Sequence, residues 1–194
     1  MTPEEMLLIL MRAGKLKTTY RHCFTDNDRR ESVADHSWRI ALMAMMLSGE
    51  EEFQRVDMDR VIRMCLIHDL GESFTGDIPT FQKSEKDVDV EDELFGQWID
   101  SFPETQRNMW KELLSEMNAL ETTEAKTYKA LDKLEAVISH NESDIKTWLP
   151  LEYDLQLTYG AENVQFSEYL KALKSAIDKW TKEKIESERV PDSI

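Results

Sequence analysis

The segment Ala130-Leu131-Asp132-Lys133-Leu134-Glu135-Ala136, continued by Val137 and Ile138, decides the fold. Its apolar residues Leu131, Leu134, Val137 and Ile138 recur at three- and four-residue spacing, the period of a helix with one buried stripe. The same spacing returns at Ile40, Met43, Ala44 and Leu47, and again at Val61, Ile62, Cys65 and Leu66. Only 6 Gly and 5 Pro interrupt the 194 residues. No period-two run rich in Val, Ile and Thr is present, so a sheet has little to be built from. An all-α fold is expected. At roughly 150 residues per domain, residues 1–194 form one domain with room for a substantial core.

Working outward, Thr2-Pro3-Glu4-Glu5 supplies an N-cap, Pro at N1 and first-turn acids for a helix that stops around Gly14. A second helix is expected from about Ser32 to Ser48. A third starts near Asp57 or Asp59 and continues to Leu70, where Gly71 ends it. A loop follows over 72–83. The acidic stretch Glu85 to Glu93 reads as a solvated face and leads into a helix ending near Pro103. Further helices are expected at about 104–120, 123–141 and 166–188, with a short helix and loop at 153–163 and a frayed tail from about 188.

The charge balance is 24 Lys+Arg against 39 Asp+Glu, a net −15. A surface this acidic repels phosphate backbones and anionic lipids, which argues against nucleic-acid coating and membrane association. A small anionic substrate is compatible, provided a metal or a local cationic cluster reverses the field at one spot. The stretch from Lys15 to Arg30, with Lys15, Lys17, Arg21, Arg29 and Arg30, is the basic exception. Two cysteines cannot make a disulfide scaffold, and Cys65, inside Met64-Cys65-Leu66-Ile67, reads as a buried thiol. The N-terminal residues lack a positive signal region, and no apolar run approaches the roughly 20 residues that cross a bilayer. A cytoplasmic protein is expected. Met43, Met45 and Met46 read as core filler, and Trp38, Trp98, Trp110 and Trp148 as packing or interface residues.

Chemistry concentrates at the histidines. His22, His36, His68 and His140 are all there are, and two stand beside an acid, in Asp35-His36-Ser37 and His68-Asp69. The second pair closes an apolar helix, at the rim of the core. A buried Asp beside a His needs compensating charge, which a divalent cation supplies. Asp132, wedged between core positions, needs a partner too, either Lys129 one turn back or the same cation. Two imidazoles and two carboxylates suit one divalent metal and leave positions open for water and substrate. His140 reads as structural.

Taken together, Glu31-Ser32-Val33-Ala34-Asp35-His36-Ser37, Ile67-His68-Asp69-Leu70-Gly71-Glu72, Gly76-Asp77-Ile78-Pro79 and Ala130-Leu131-Asp132-Lys133-Leu134-Glu135 resemble the HD-domain phosphohydrolases, in the branch of the 5′-deoxynucleotidases. The likeness runs in order from about Leu16 to Tyr153. It implies a single-domain HD-type helical bundle and a homodimer. It implies His36, His68, Asp69 and Asp132 as ligands of one divalent ion, whether Mn, Co, Zn, Ni, Fe or Mg. Glu72 matches the branch's catalytic carboxylate, Asp77 a second acid, and Arg21 an Arg that holds the substrate phosphate. The branch follows that Arg with Trp, whereas His22 follows here. Lys133, beside Asp132, joins His22 as a candidate substrate contact. The implied activity is hydrolysis of nucleoside 5′-monophosphates, 2′-deoxyribonucleotides in particular. The alternatives are a phosphohydrolase of another metabolite, a metal-free binding domain, and a di-iron oxygenase. The last needs further His ligands, and none occurs between Asp69 and Asp132.

Overall fold

A computed structural model describes residues 1–25 and 29–188; the expected frayed tail lies outside them. The nine α-helices among these residues are α1 (Pro3–Ala13), α2 (Val33–Leu47), α3 (Met58–Ile67), α4 (Glu72–Thr75), α5 (Glu85–Asp100), α6 (Glu104–Ala119), α7 (Thr123–Glu142), α8 (Glu152–Thr158) and α9 (Glu168–Glu188). Their starts are written locally. Thr2, Ser32 and Ser84 each cap a helix through a hydroxyl that accepts the N3 amide, and Glu5, Asp35 and Asp87 reach back to the cap amide. This reciprocal pairing satisfies two otherwise orphaned N–H groups at each end.

Helix α7 is the axis of the molecule. Leu131, Leu134 and Val137 are fully buried, and α2, α3, α6 and α9 pack around them. The core is one contiguous cluster, from Leu16 through Ile40, Met64 and Leu113 to Leu170 and Ile177. Because α7 is enclosed nearly all round, its polar residues must find partners inside. Asn141 and Thr181 exchange hydrogen bonds of 2.9 and 3.1 Å across the α7–α9 contact. Asp132 and Glu135 are also buried, on the side where α2 and α3 arrive.

Several expectations need correcting. The polar stretch before α2 contains a two-stranded antiparallel hairpin, β1 (Tyr20–Phe24) with β2 (Arg30–Ser32). Its inward groups include Glu31, ion-paired to Arg21 at 3.0 Å and accepting from Cys23 Sγ at 2.9 Å. A strand whose buried face is charged carries no apolar alternation, so its pattern was silent. The expected loop 72–83 begins as α4. Gly71 has helical φ (−56°), while the left-handed glycine is Gly76 at +82°. A Cβ on Gly71 would lie 2.7 Å from Glu91 Cγ, so this glycine permits the close approach of α5 instead of ending α3. The acidic stretch from Glu85 is already α5. Met45 and Met46 are exposed, not core, because α2 buries the stripe of His36, Ile40, Ala44 and Leu47 and turns these two outward. No helix among the described residues is long and apolar enough to cross a membrane.

Candidate metal centre and substrate pocket

Three elements bring the acid and imidazole groups together. His36 sits one turn into α2, held by the Ser32 cap. His68 and Asp69 follow the last turn of α3, and Asp132 lies in mid-α7. The His36 and His68 Nε2 atoms are 3.3 Å apart. Asp69 Oδ2 stands 2.9 Å from His68 Nε2 and 3.7 Å from His36 Nε2. Asp132 Oδ1 stands 3.4 Å from His36 Nε2 and 3.9 Å from His68 Nε2. Ligands about 2.1 Å from a common ion lie about 3 to 3.4 Å from one another. The mutual spacing of His36, His68 and Asp69 is compatible with a shared metal ion.

Ring orientation decides whether this is a ligand set. His36 Nδ1 faces Glu135, and His68 Nδ1 faces the Cys65 carbonyl at 2.9 Å. A carbonyl only accepts, and a carboxylate does the same, so both Nδ1 atoms donate. With Nδ1 donating on each ring, both Nε2 atoms face the shared space, and once His36 is neutral both lone pairs are available to one cation. Glu135 is fully buried and also accepts from Arg39 Nε at 2.6 Å. The Ser139 hydroxyl lies between Glu31 and Glu135, at 2.7 and 2.9 Å, tying the hairpin to the site.

The field agrees. Burial pushes the Glu72 carboxyl up, and Asp69, Asp77 and Glu91 add to it against Arg21, reaching about 10. Its Oε2 is buried and meets no hydrogen-bond partner among the described residues. Burial also raises Asp77. His36 is raised to about 9 although burial and Arg21 oppose it, because Glu135 and Asp132 favour its charged form. Asp69 and Asp132, despite burial, are held below the carboxylate range, by His68 and by Lys129 respectively. A cluster that draws protons this way is one that a divalent cation would neutralise.

The site opens into a cavity of about 280 Å³. Arg21, His22, Glu72, Asp77 and Lys133, all expected from the sequence, line it together with Asp69 and Asp132. Arg21 Nη1 lies 3.9 Å from Asp69 Oδ2. Lys129 and Lys133 meet Asp132 Oδ2 at 3.0 and 3.3 Å, so the Lys129 pairing considered for it is present, while Oδ1 faces the two imidazoles. Lys133 also bonds the Tyr159 hydroxyl at 3.0 Å. Sequence reasoning assigned no role to Glu135, Glu31 and Glu152, each an acid one would assign to a solvated surface. The spacing Asp132–Glu135, one turn apart on a buried stripe, was the available signal for the first.

A helical bundle that brings two imidazoles and a carboxylate within metal-binding distance, with Asp132 beside them and a guanidinium near by, suits a metal-dependent hydrolase. The sequence matches the HD domain family over residues 13–174, and the chain belongs to that family. The 5′-deoxynucleotidase HDDC2 of Homo sapiens is 34% identical over 141 residues, covering 71% of this chain and 67% of that protein. The 5′-deoxynucleotidase hdd1 of Schizosaccharomyces pombe is 29% identical over 161 residues, 78% of each. Among solved structures, a predicted metal-dependent phosphohydrolase from Magnetospirillum magnetotacticum superposes with a TM-score of 0.77 at 28% identity, covering 93% of both chains.

Proposed function

We propose that this chain, as one domain, is a divalent-metal-dependent phosphohydrolase of nucleoside 5′-monophosphates, 2′-deoxyribonucleotides in particular. The observation that carries the reading is the pair of Nε2 atoms 3.3 Å apart, with Nδ1 donating on each ring, flanked by two carboxylates that line the same cavity as Arg21. His36, His68, Asp69 and Asp132 hold the ion. A divalent ion there supplies Lewis acidity toward the phosphoryl group. Arg21 binds non-bridging oxygens and cancels charge as it develops. Glu72 orients the attacking water and accepts its proton. As Glu72 otherwise keeps its own proton, that role requires the added positive charge of the cation. Asp77, which lines the same cavity and is also raised by burial, gives a proton to the departing sugar oxygen. Lys133 adds a cationic contact beside Asp132.

The deoxyribonucleotide preference rests on the HD-domain relatives that bear 5′-deoxynucleotidase names. We also propose a cytoplasmic homodimer without nucleic-acid partners: α1 exposes Leu7, Leu8, Leu10 and Met11, which supports an interface there. The deciding experiment is a phosphate-release screen over ribo- and deoxyribonucleoside monophosphates with Mn, Co, Mg, Zn and Ni. Metal-dependent release from deoxyribonucleotides is expected; release confined to unrelated phosphate esters contradicts it.

A further inference from the structure

The hairpin that precedes α2 carries a buried carboxylate with no place in the proposed hydrolysis. Glu31, on β2, is 4% exposed. Its Oε2 accepts from Arg21 Nε at 3.0 Å and from the Cys23 thiol at 2.9 Å. Its Oε1 accepts from the Ser139 hydroxyl at 2.7 Å. Burial and the Glu31 charge both keep Cys23 a thiol, and hence a donor. A buried ion pair is a costly way to fasten a hairpin, since apolar residues of similar volume do so without desolvating charge. The cost has a use where the arginine itself must be aimed.

The pairing runs through Nε, the inner nitrogen of the fork. A guanidinium is planar, so fixing Nε on one side fixes the direction of both Nη groups. Nη1 then lies 3.9 Å from Asp69 Oδ2, inside the cavity that Arg21 lines. The strand is held as well, because Arg30 Nη2 donates to the Arg21 carbonyl at 2.8 Å. Through its other oxygen Glu31 reaches Ser139, whose hydroxyl also lies 2.9 Å from Glu135, the carboxylate that faces His36 Nδ1. The guanidinium and a metal-binding imidazole thus share one buried polar frame.

We infer that Glu31 is a positioning residue for Arg21: it turns the Nη groups toward a phosphate held at the cation, and Ser139 keeps them in register with His36. This rests on the hydrolase reading above and adds to it the residue through which Arg21 becomes effective. Charge works in the opposite sense, since a carboxylate beside Arg21 competes with an anionic ligand. Arg21 keeps its proton against burial because Glu135, Glu31 and Asp69 all face it. Glu31 is one countercharge among several, and its removal leaves the others in place. Orientation outweighs competition.

The test is calorimetric titration of inorganic phosphate into the Mn²⁺-saturated protein, which needs no turnover. Glu31→Gln keeps the volume and loses the charge-assisted bond. Its phosphate Kd is expected to rise about tenfold, the scale of losing a side chain that orients a ligating group. In an Arg21→Ala background the same change is expected to add nothing, because Glu31 acts through the arginine. Glu31→Asp, which restores the charge one methylene short, recovers part of the affinity. Should Glu31→Gln not fold, Ser139→Ala, which frees the other end of Glu31, is read in the same way with a smaller rise. A Kd that stays put, one that falls, or one that rises as much without Arg21 as with it overturns the inference. If the parent binds no phosphate with its cation in place, the hydrolase reading falls and takes this one with it. If the parent binds phosphate and Glu31→Gln matches it, only the present inference falls.

Discussion

Replacing Glu135 by Gln separates the orientation of the metal ligands from their identity. The side chain is fully buried and accepts from His36 Nδ1 and from Arg39 Nε. Its carboxyl is lowered from 4.5 to about 2: burial opposes the charge, while His36, Arg21 and Arg39 favour it. That displacement corresponds to about 3 kcal/mol of interaction with the charged form, close to the roughly 3–5 kcal/mol lost when one member of a buried pair is removed. Gln keeps the volume but turns an N–H₂ toward one of the two donors. For a chain of this size the midpoint of thermal unfolding should fall by roughly 6–12 °C. Independently, loosening the His36 tautomer should weaken divalent-cation binding by about 10- to 100-fold, measured by competition with a chelator at fixed pH. Thr181→Val is the control. It removes the Asn141–Thr181 hydrogen bonds far from the cation and should lower stability while leaving the affinity alone. A folded Glu135→Gln protein that holds Mn²⁺ as tightly as the parent refutes the orienting role of Glu135.

Further expectations follow from the same geometry. Asp69→Ala should abolish both cation binding and phosphate release, whereas Glu72→Ala should keep the ion and lose about 10²- to 10⁴-fold in kcat; parental turnover in the second variant contradicts the assigned role. In the cation-free protein, His36 is raised from 6.5 to about 9 and Glu72 from 4.5 to about 10. The His36 contribution is full below pH 6.5 and is lost as pH rises through 9, and ionising Glu72 acts in the same sense. Thermal stability without metal should therefore fall between about pH 6.5 and 9, and a saturating cation should flatten that slope; an unchanged slope argues against the site. Gly160 has φ +75°, and a Cβ there would lie 2.9 Å from Lys133 Cβ. Gly160→Ala should destabilise by about 1–3 kcal/mol, while Gly14→Ala, with open space around it and helical φ, should stabilise by about 0.4–1 kcal/mol. Thermal melts of the two variants, moving in opposite directions, check this.

The helices were readable because their information is local. Thr2 and Ser32 announce starts, and the stripes of α2, α3 and α7 announce faces, so α1, α2, α3 and α7 fall within a few residues of their expected ends. His36, His68, Asp69 and Asp132 were readable because imidazoles and acids embedded in apolar stripes demand a partner. Glu135, Glu31 and Glu152 were not, since an isolated Glu on a helix or a polar strand has the same sequence signature whether it meets water or Arg39, Arg21 and His140. Only the crossing of α2 and α7 turns Glu135 inward. The hairpin was hidden for a related reason: its buried contacts are ionic, and hydrophobic periodicity does not register them. Met45 and Met46 erred the other way, apolar residues on a helix that already had its buried stripe filled.

The most direct test is a crystal structure of the chain grown with Mn²⁺, read by anomalous scattering at the manganese edge. One anomalous peak is expected within about 2.3 Å of His36 Nε2, His68 Nε2, Asp69 and Asp132 together. Density for the four side chains with no peak among them, in crystals shown to contain the metal, contradicts a shared cation at that point.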